Sequence, residues 1–492
     1  MNGLVLALDS GTQSSRAIAY DAEGNQVAMG SAAHQPLSVS GEGAVTQSPH
    51  DVWAALSSSI RSCMGALGSR TDEVVAVGLT TQRYTMIPCT ADFSPLMDAI
   101  HWLDRREGRL DDSWLLRSIG AIPTFGTIFS MSRGHVLKTV EPEIFADTKR
   151  YLPLSAWLAV QLVGDAVDTP GSFPGLWPID ARTGKLHGHD RMAKMLAIPR
   201  SWLPRLVDAG AELGVISEEC SQQTGIPSGT PLVAIGGDKQ AELLGAGVVS
   251  GEDSVAAISL GTAASVTTLT RKFQQDLGAK IYTLASAEPK AWCLEYMLNR
   301  GMWMVTWARR ELFRDASFAD LEAEATSTPV GAEGLTCLPR WGAPVASPYE
   351  RGTLIGFTEA HTRGHIYRAI IEGICMDLRR GLSVLERQAG RRLPILRVGG
   401  GGSQSDWIVQ TLANIMGRAV SRGGTQELSA LGAAMGAAVH AGWYSSYAEA
   451  AETMGSPGRT FEPELDAQTV YDSIYKEIFS IRLTDIGELL RR

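Results

Sequence analysis

The chain has 492 residues, too many for one ordinary hydrophobic core, and this length predicts two to three domains. Its 44% apolar and 20% charged content are those of a folded soluble chain. A net charge of −9, from 44 basic and 53 acidic residues without basic blocks, argues against a nucleic-acid binder or a polybasic membrane anchor. The six cysteines (Cys63, Cys89, Cys220, Cys293, Cys337, Cys375) are scattered and read as reduced thiols of a cytosolic protein. Met1-Asn2-Gly3 lacks a basic region, so no signal peptide is expected, and no apolar run is long enough to span a bilayer.

Leu4 to Leu8 reads as a buried strand, Ser10 to Ser15 as a tight small-residue turn, and Arg16 to Tyr20 as a returning strand. The result is a β-hairpin with the Asp9 carboxylate at its mouth. Gly11 lets the backbone approach a ligand, the Thr12, Ser14 and Ser15 hydroxyls suit phosphate oxygens, and Asp9 can hold a divalent metal. A plain hairpin turn uses the same residues, so this stretch alone does not separate the two readings.

Glu73 to Thr80 is a second buried strand that ends in the polar cluster Thr81-Gln82-Arg83-Tyr84-Thr85, at the strand end where α/β sheets bind ligands. The segment around Asp104-Arg105-Arg106 reads as a solvated helix start with a local ion pair, and Trp102 offers a wall for a sugar. Pro123 to Leu162 is helical in pattern, and Asp180 to Gly184 is a turn between two strands. Pro227 to Asp238 reads as turn, strand and glycine turn, with a helix beginning at Ala241.

In the second half, Ala256 to Thr270 repeats the strand, Gly-Thr, strand pattern, with Gly261-Thr262 standing 250 positions after Gly11-Thr12. Two similar halves, 1–246 and 247–492, are therefore expected to face each other and clamp phosphates from both sides. Asn299 to Leu312 is an amphipathic helix with a core face, Leu338 to Pro348 an irregular loop, Gly352 to Phe357 a strand, and His361 to Leu385 a long helix. Leu428 to Ala441 reads as a small-residue helix packed closely on a sheet, and Tyr471 to Leu490 as a terminal helix pair.

Two stretches carry further chemistry. Asp238, in Gly236-Gly237-Asp238-Lys239-Gln240, follows a buried strand on a glycine turn, where its carboxylate can act as a base; an N-cap role fits the same place. Gly399 to Gly402 exceeds what the capping box Ser403-Gln-Ser-Asp406 needs, and its missing side chains leave room for a flat base or ribose. It lacks the Lys-Ser/Thr ending of a P-loop.

Taken in order, Leu8 to Thr12 with Arg16, Gln47 to Pro49, Gln82-Arg83, Trp102 to Arg106, Gly237-Asp238, Leu260 to Thr262, Gly352 to Glu372, Gly399 to Ser403 and Leu431 to Ala434 resemble the FGGY carbohydrate kinases over essentially the whole chain. The resemblance implies an α/β fold of two actin-like, RNase H-like ATPase domains flanking a cleft. It further implies ATP and Mg²⁺ as cofactors, a small sugar or polyol as substrate, and neither nucleic acid nor membrane as partner, with a homodimer left open. By the same resemblance Asp9 would organise Mg²⁺, while Gly11, Thr12 and Arg16 would meet the transferred phosphoryl group. Gly261 and Thr262 would hold the phosphates from the other side, and Gly400, Gly401, Gly402 and Ser403 would border adenosine. Asp238 would be the catalytic base, and Gln82, Arg83, Tyr84, Trp102, Asp104 and Lys239 would line the acceptor pocket.

Departures limit what the resemblance says about the substrate. Tyr84 stands where glycerol kinases carry Glu, the Gln-Met-His of many xylulose kinases is absent, and the signature near Ser130 to Glu141 has His135 and Lys138 for the usual Lys and Trp. The helix beginning at His365 and the Val398 to Gly402 loop look more like the pentulose branch, so a xylulokinase-like activity is expected. An actin- or Hsp70-like ATP-driven binding protein and a degenerate sugar sensor are the competing classes.

Overall fold

The computed structural model describes residues 3–109, 132–251, 254–276, 280–342, 350–455 and 458–479. A first sheet is built from β1 (Leu4–Ser10), β2 (Ser14–Tyr20), β3 (Gln26–Ala33), β4 (Val74–Thr81), β5 (Glu212–Val215) and β6 (Pro231–Gly237), in spatial order β5-β6-β4-β1-β2-β3. β1, β2 and β3 are antiparallel neighbours, whereas β4 and β6 run parallel to β1. Leu4, Leu6 and Leu8 pack on one face with helix α1 (Pro49–Leu67), and Val5 and Ala7 pack on the other. A strand covered on both faces needs an unbroken apolar run, as Leu4 to Leu8 supplies.

The second sheet contains β7 (Val255–Leu260), β8 (Ala264–Thr270), β9 (Tyr282–Ala285), β10 (Trp292–Leu298), β11 (Ile395–Gly399), β12 (Val420–Arg422) and β13 (Arg459–Phe461), in order β9-β10-β8-β7-β11-β12-β13. The run β10-β8-β7-β11-β12 has the same strand directions as β3-β2-β1-β4-β6. The repeated Gly-Thr hairpin is thus the visible part of a repeated fold. The copies differ by one residue: Ser10 pairs with Ser15 in the first, Leu260 with Ala264 in the second.

A smaller five-stranded sheet (residues 38–39, 45–47, 86–89, 99–100 and 150–153) flanks the first one. Its strand Arg150–Pro153 corrects the all-helical reading of that region, where among the described residues helices cover Arg133–Val140, Pro142–Asp147 and Leu154–Val163. Residues 102–106 form a turn followed by irregular chain instead of a helix start. The expected helices at 123–131, the end of the loop at 343–348 and the second member of the terminal pair at 480–490 lie outside the described residues.

The two halves join through α2 (Asp238–Gly245), which continues directly from β6. In the second half α3 (Arg363–Ala389) and α4 (Asp406–Met416) cover the second sheet, while α5 (Leu428–His440) crosses to the first. There Ala430, Leu431, Ala434 and Met435 share a core with Val5, Ala7, Val233 and Leu244, so packing reaches across the division expected at 246/247. Fully buried side chains such as Leu431 each contribute about 1.5–3 kcal/mol. The helices approach at backbone distance. A Cβ on Gly432 would lie 1.9 Å from the Ala241 carbonyl, one on Gly245 2.0 Å from the Leu428 carbonyl, and one on Gly78 of β4 2.3 Å from the Ala433 carbonyl. The close packing expected of this small-residue helix is therefore present.

Gly432→Ala is expected to lower the urea midpoint, by about 2 kcal/mol of stability, although alanine gains about 1 kcal/mol in helix propensity. Gly65→Ala in α1, where a Cβ meets nothing within 4 Å, is expected to raise it. Equal shifts for the two variants would show that the contact is unimportant.

Candidate active site

The first hairpin is braced from behind by buried polar side chains. Gln82 Nε2 donates to Gln47 Oε1 at 2.7 Å, while Gln82 Oε1 lies 3.1 Å from the donating Thr12 hydroxyl and 2.9 Å from His101 Nε2. Trp102 Nε1 donates to the same Thr12 oxygen at 3.0 Å. His34 connects Ser15, at 2.8 Å, with Gln47, at 3.1 Å. Burial first, then Arg133, holds His101 down to about 3, so its ring is neutral. The structure thus places Gln82 and Trp102 as supports that fix Thr12.

Asp238 is the first residue of α2 and not its cap; Gly237 occupies the cap position. A Cβ at Gly237 would lie 2.2 Å from Arg83 Cγ, so glycine here lets the Arg83 side chain cross the helix start. Arg83 Nε reaches Asp238 Oδ1 at 3.7 Å, and the Asp238 side chain keeps one third of its surface exposed. Lys239 Nζ binds Glu242 at 2.6 Å and Ser259 Oγ at 2.7 Å, tying the start of α2 to the strand that leads into the second hairpin. Residues 9, 238 and 261 thereby come near one junction: Asp9 feels the charge of Asp238, and a Cβ at Gly261 would lie 3.9 Å from Lys239 Nζ.

The glycine loop divides by role. A Cβ at Gly400 would meet the Leu260 carbonyl carbon at 2.9 Å, and one at Gly402 would meet Met302 at 2.9 Å, so both serve packing on the second hairpin. Gly401 faces open space. Ser403 is buried with its hydroxyl donating to the Gly400 carbonyl at 2.7 Å, and Ser405 is the residue that caps α4. Both observations correct the capping box expected to begin at Ser403.

Asp104 is buried rather than solvated. It accepts from Val45 N at 3.0 Å and pairs with Arg106 at 2.7 Å, so it organises the loop below the acceptor side. Tyr84 has a left-handed backbone (φ 64°), its ring sandwiched by the Arg133 guanidinium at 4.4 Å and the edge of Trp177 at 6.3 Å.

Three carboxylates at the junction escaped the sequence reading: Glu242, Glu295 and Glu427. Glu427 pairs with Arg16 at 3.2 Å from the start of α5, and Glu295 of β10 meets Arg83 at 3.4 Å. Glu295 and Glu427 are isolated in the sequence, so only spatial convergence reveals them, whereas Glu242 stands three residues after its partner Lys239. Burial, then the charges of Asp238, Glu427 and Glu242, push Asp9 up to about 7 against the opposing pull of Arg16. Burial likewise raises Asp238, although Arg83 and Lys239 oppose it.

This geometry, two sheets that share a five-strand topology and each carry a Gly-Thr hairpin, defines a two-lobed ATPase fold. The model of the FGGY family of carbohydrate kinases matches its N-terminal domain to residues 4–245 and its C-terminal domain to residues 256–441. The chain belongs to this family, and it is an ATP-dependent sugar or polyol kinase. It is 27% identical to the uncharacterized sugar kinase YgcE of Escherichia coli (strain K12), over 96% of this chain and 92% of that one. It is 30% identical to a glycerol kinase of Bordetella parapertussis, over 94% and 93%. The fold matches the xylulose kinase of Lactobacillus acidophilus with a TM-score of 0.85, 21% identity and 98% coverage of both chains. Among the described residues no helix is long and apolar enough to cross a membrane.

The raised Asp9 carboxyl has a sign that can be tested. Because the folded protein holds the proton up to about 7, Asp9 ionisation costs stability as pH rises from about 4 through 7. Asp9→Asn is therefore expected to raise the melting temperature of the ligand-free protein more at pH 8 than at pH 5. A gain that is equal at both pH values would contradict this assignment.

Proposed function

We propose that the protein transfers the γ-phosphoryl group of ATP to a primary hydroxyl of a pentulose such as D-xylulose, giving the 5-phosphate. The observation that carries the reading is Asp238, a recessed carboxylate whose proton affinity is raised by burial, poised beside Arg83 and next in sequence to Lys239, which binds Ser259 of the strand leading into the second hairpin. Asp238 takes the acceptor proton as the hydroxyl oxygen attacks the γ-phosphorus in line, and the bond from that phosphorus to the β,γ-bridging oxygen breaks. Gly11, Thr12 and Arg16 meet the transferred group, Gly261 and Thr262 grip the remaining phosphates, and Gly401 borders the adenosine. Positioning and charge neutralisation supply most of the acceleration.

The acidic surplus around Asp9 fits a divalent cation. Asp9 would hold Mg²⁺, whose chemistry is to neutralise charge on the phosphate oxygens. On the acceptor side, Tyr84 replaces the acidic residue of glycerol kinases, so a carboxylate expected to grip a polyol is missing there. The 30% identical glycerol kinase supports the second reading, a glycerol or polyol kinase.

An ADP-release assay over D-xylulose, D-ribulose, L-ribulose, L-xylulose, glycerol and erythritol distinguishes the readings. D-xylulose is expected to give the highest kcat/KM; preference for glycerol would establish the second reading, and no acceptor-stimulated turnover would reject both. Asp238→Ala is expected to lower kcat at least 10²-fold with nucleotide affinity retained, and turnover close to the parent would remove the base assignment.

A further inference from the structure

Glu295 is the most deeply buried of the junction carboxylates that the roles above leave unused. It lies mid-strand in β10, opposite Thr267 of β8 and Tyr282 of β9, and its side chain is 3% exposed. A buried carboxylate needs a compensating partner, and Arg83 of the other lobe supplies it. Arg83 Nη2 reaches both carboxylate oxygens at 3.4 Å, and Nη1 reaches one of them at the same distance. These contacts are longer than the 2.7–2.9 Å usual for charge-assisted bonds, so the guanidinium is shared and not locked. Its Nε lies 3.7 Å from Asp238. One cation thus stands between two carboxylates, one from each lobe. The strands that carry Glu295 are docked on the first lobe by Trp292 Nε1 to the Ala181 carbonyl at 2.9 Å and by Gln240 Nε2 to the Ala285 carbonyl at 3.3 Å.

We propose that Glu295 is a positioning residue for the transfer step: from the second lobe it draws the Arg83 guanidinium partly away from Asp238 and so keeps Asp238 basic enough to accept the acceptor proton. The inference rests on Asp238 being the base. Without the Glu295 charge, Arg83 closes on Asp238, its carboxylate becomes a weaker base, and proton transfer slows. The charge of Glu295 is effective only when β10 lies against the first lobe, which couples base strength to contact between the lobes.

The test uses the full-length protein with Glu295→Gln, which keeps shape and can still accept from Arg83, and Glu295→Asp, which keeps charge on a shorter arm. Glu295→Gln is expected to lower plateau kcat about tenfold and to move the acidic limb of the kcat profile to lower pH, with Glu295→Asp returning the limb towards the parent position. Loss of kcat with an unmoved limb would show a merely structural role and overturn the proposal. A carbon-13 carboxyl titration of Asp238, assigned by its loss in Asp238→Asn, gives the same readout without an acceptor. A lower midpoint in Glu295→Gln supports the proposal even if the sugar assignment fails, and an unchanged midpoint overturns it even if turnover is found.

Discussion

The structure depends on a side-chain-free contact between two helices from different halves of the chain. α2 and α5 meet where Gly245 and Gly432 each face a carbonyl of the partner helix, and Gly78 lets α5 settle on β4. Interiors are close-packed, so a methyl group at such a place must push the elements apart. Because Asp238 begins α2 and Glu427 immediately precedes α5, this contact sets the distance between the acidic residues of the junction and Arg16. Backbone proximity here is therefore a condition for the chemistry as well as for the fold.

The second consequence is electrostatic. Asp9, Asp238, Glu242, Glu295 and Glu427 converge on Arg16, Arg83 and Lys239, leaving more negative than positive charge in a poorly solvated space. Burial disfavours charge without compensation, which is why Asp9 and Asp238 bind protons more tightly than free carboxyls. On the proposed reading a divalent cation at Asp9 would relieve this repulsion.

The acceptor side is organised differently from the phosphate side. Thr12 is held by Gln82 and Trp102, and Asp104 by Val45 and Arg106, so several polar residues near the pocket are occupied in bracing it. Tyr84 packs with Arg133 and Trp177, while Arg83 lies between Asp238 and Glu295.

Legibility in the sequence followed the range of the interaction. The two Gly-Thr hairpins, the apolar strands beside them and the small-residue helix are local patterns of period and composition that the sequence alone displays, and the order of its segments resembles the FGGY kinases and so implies their α/β fold. The same local reading assigned Asp238 and Gly400 to Ser403 to the site, but it misjudged Ser403 as a cap and Asp104 as solvated, because burial and hydrogen-bond partners come from distant chain. Glu295 and Glu427 had no signature at all. Their roles arise from pairing with Arg83 and Arg16, more than 200 and 400 positions away, and only the packed arrangement of two lobes brings such charges within a few ångströms of each other.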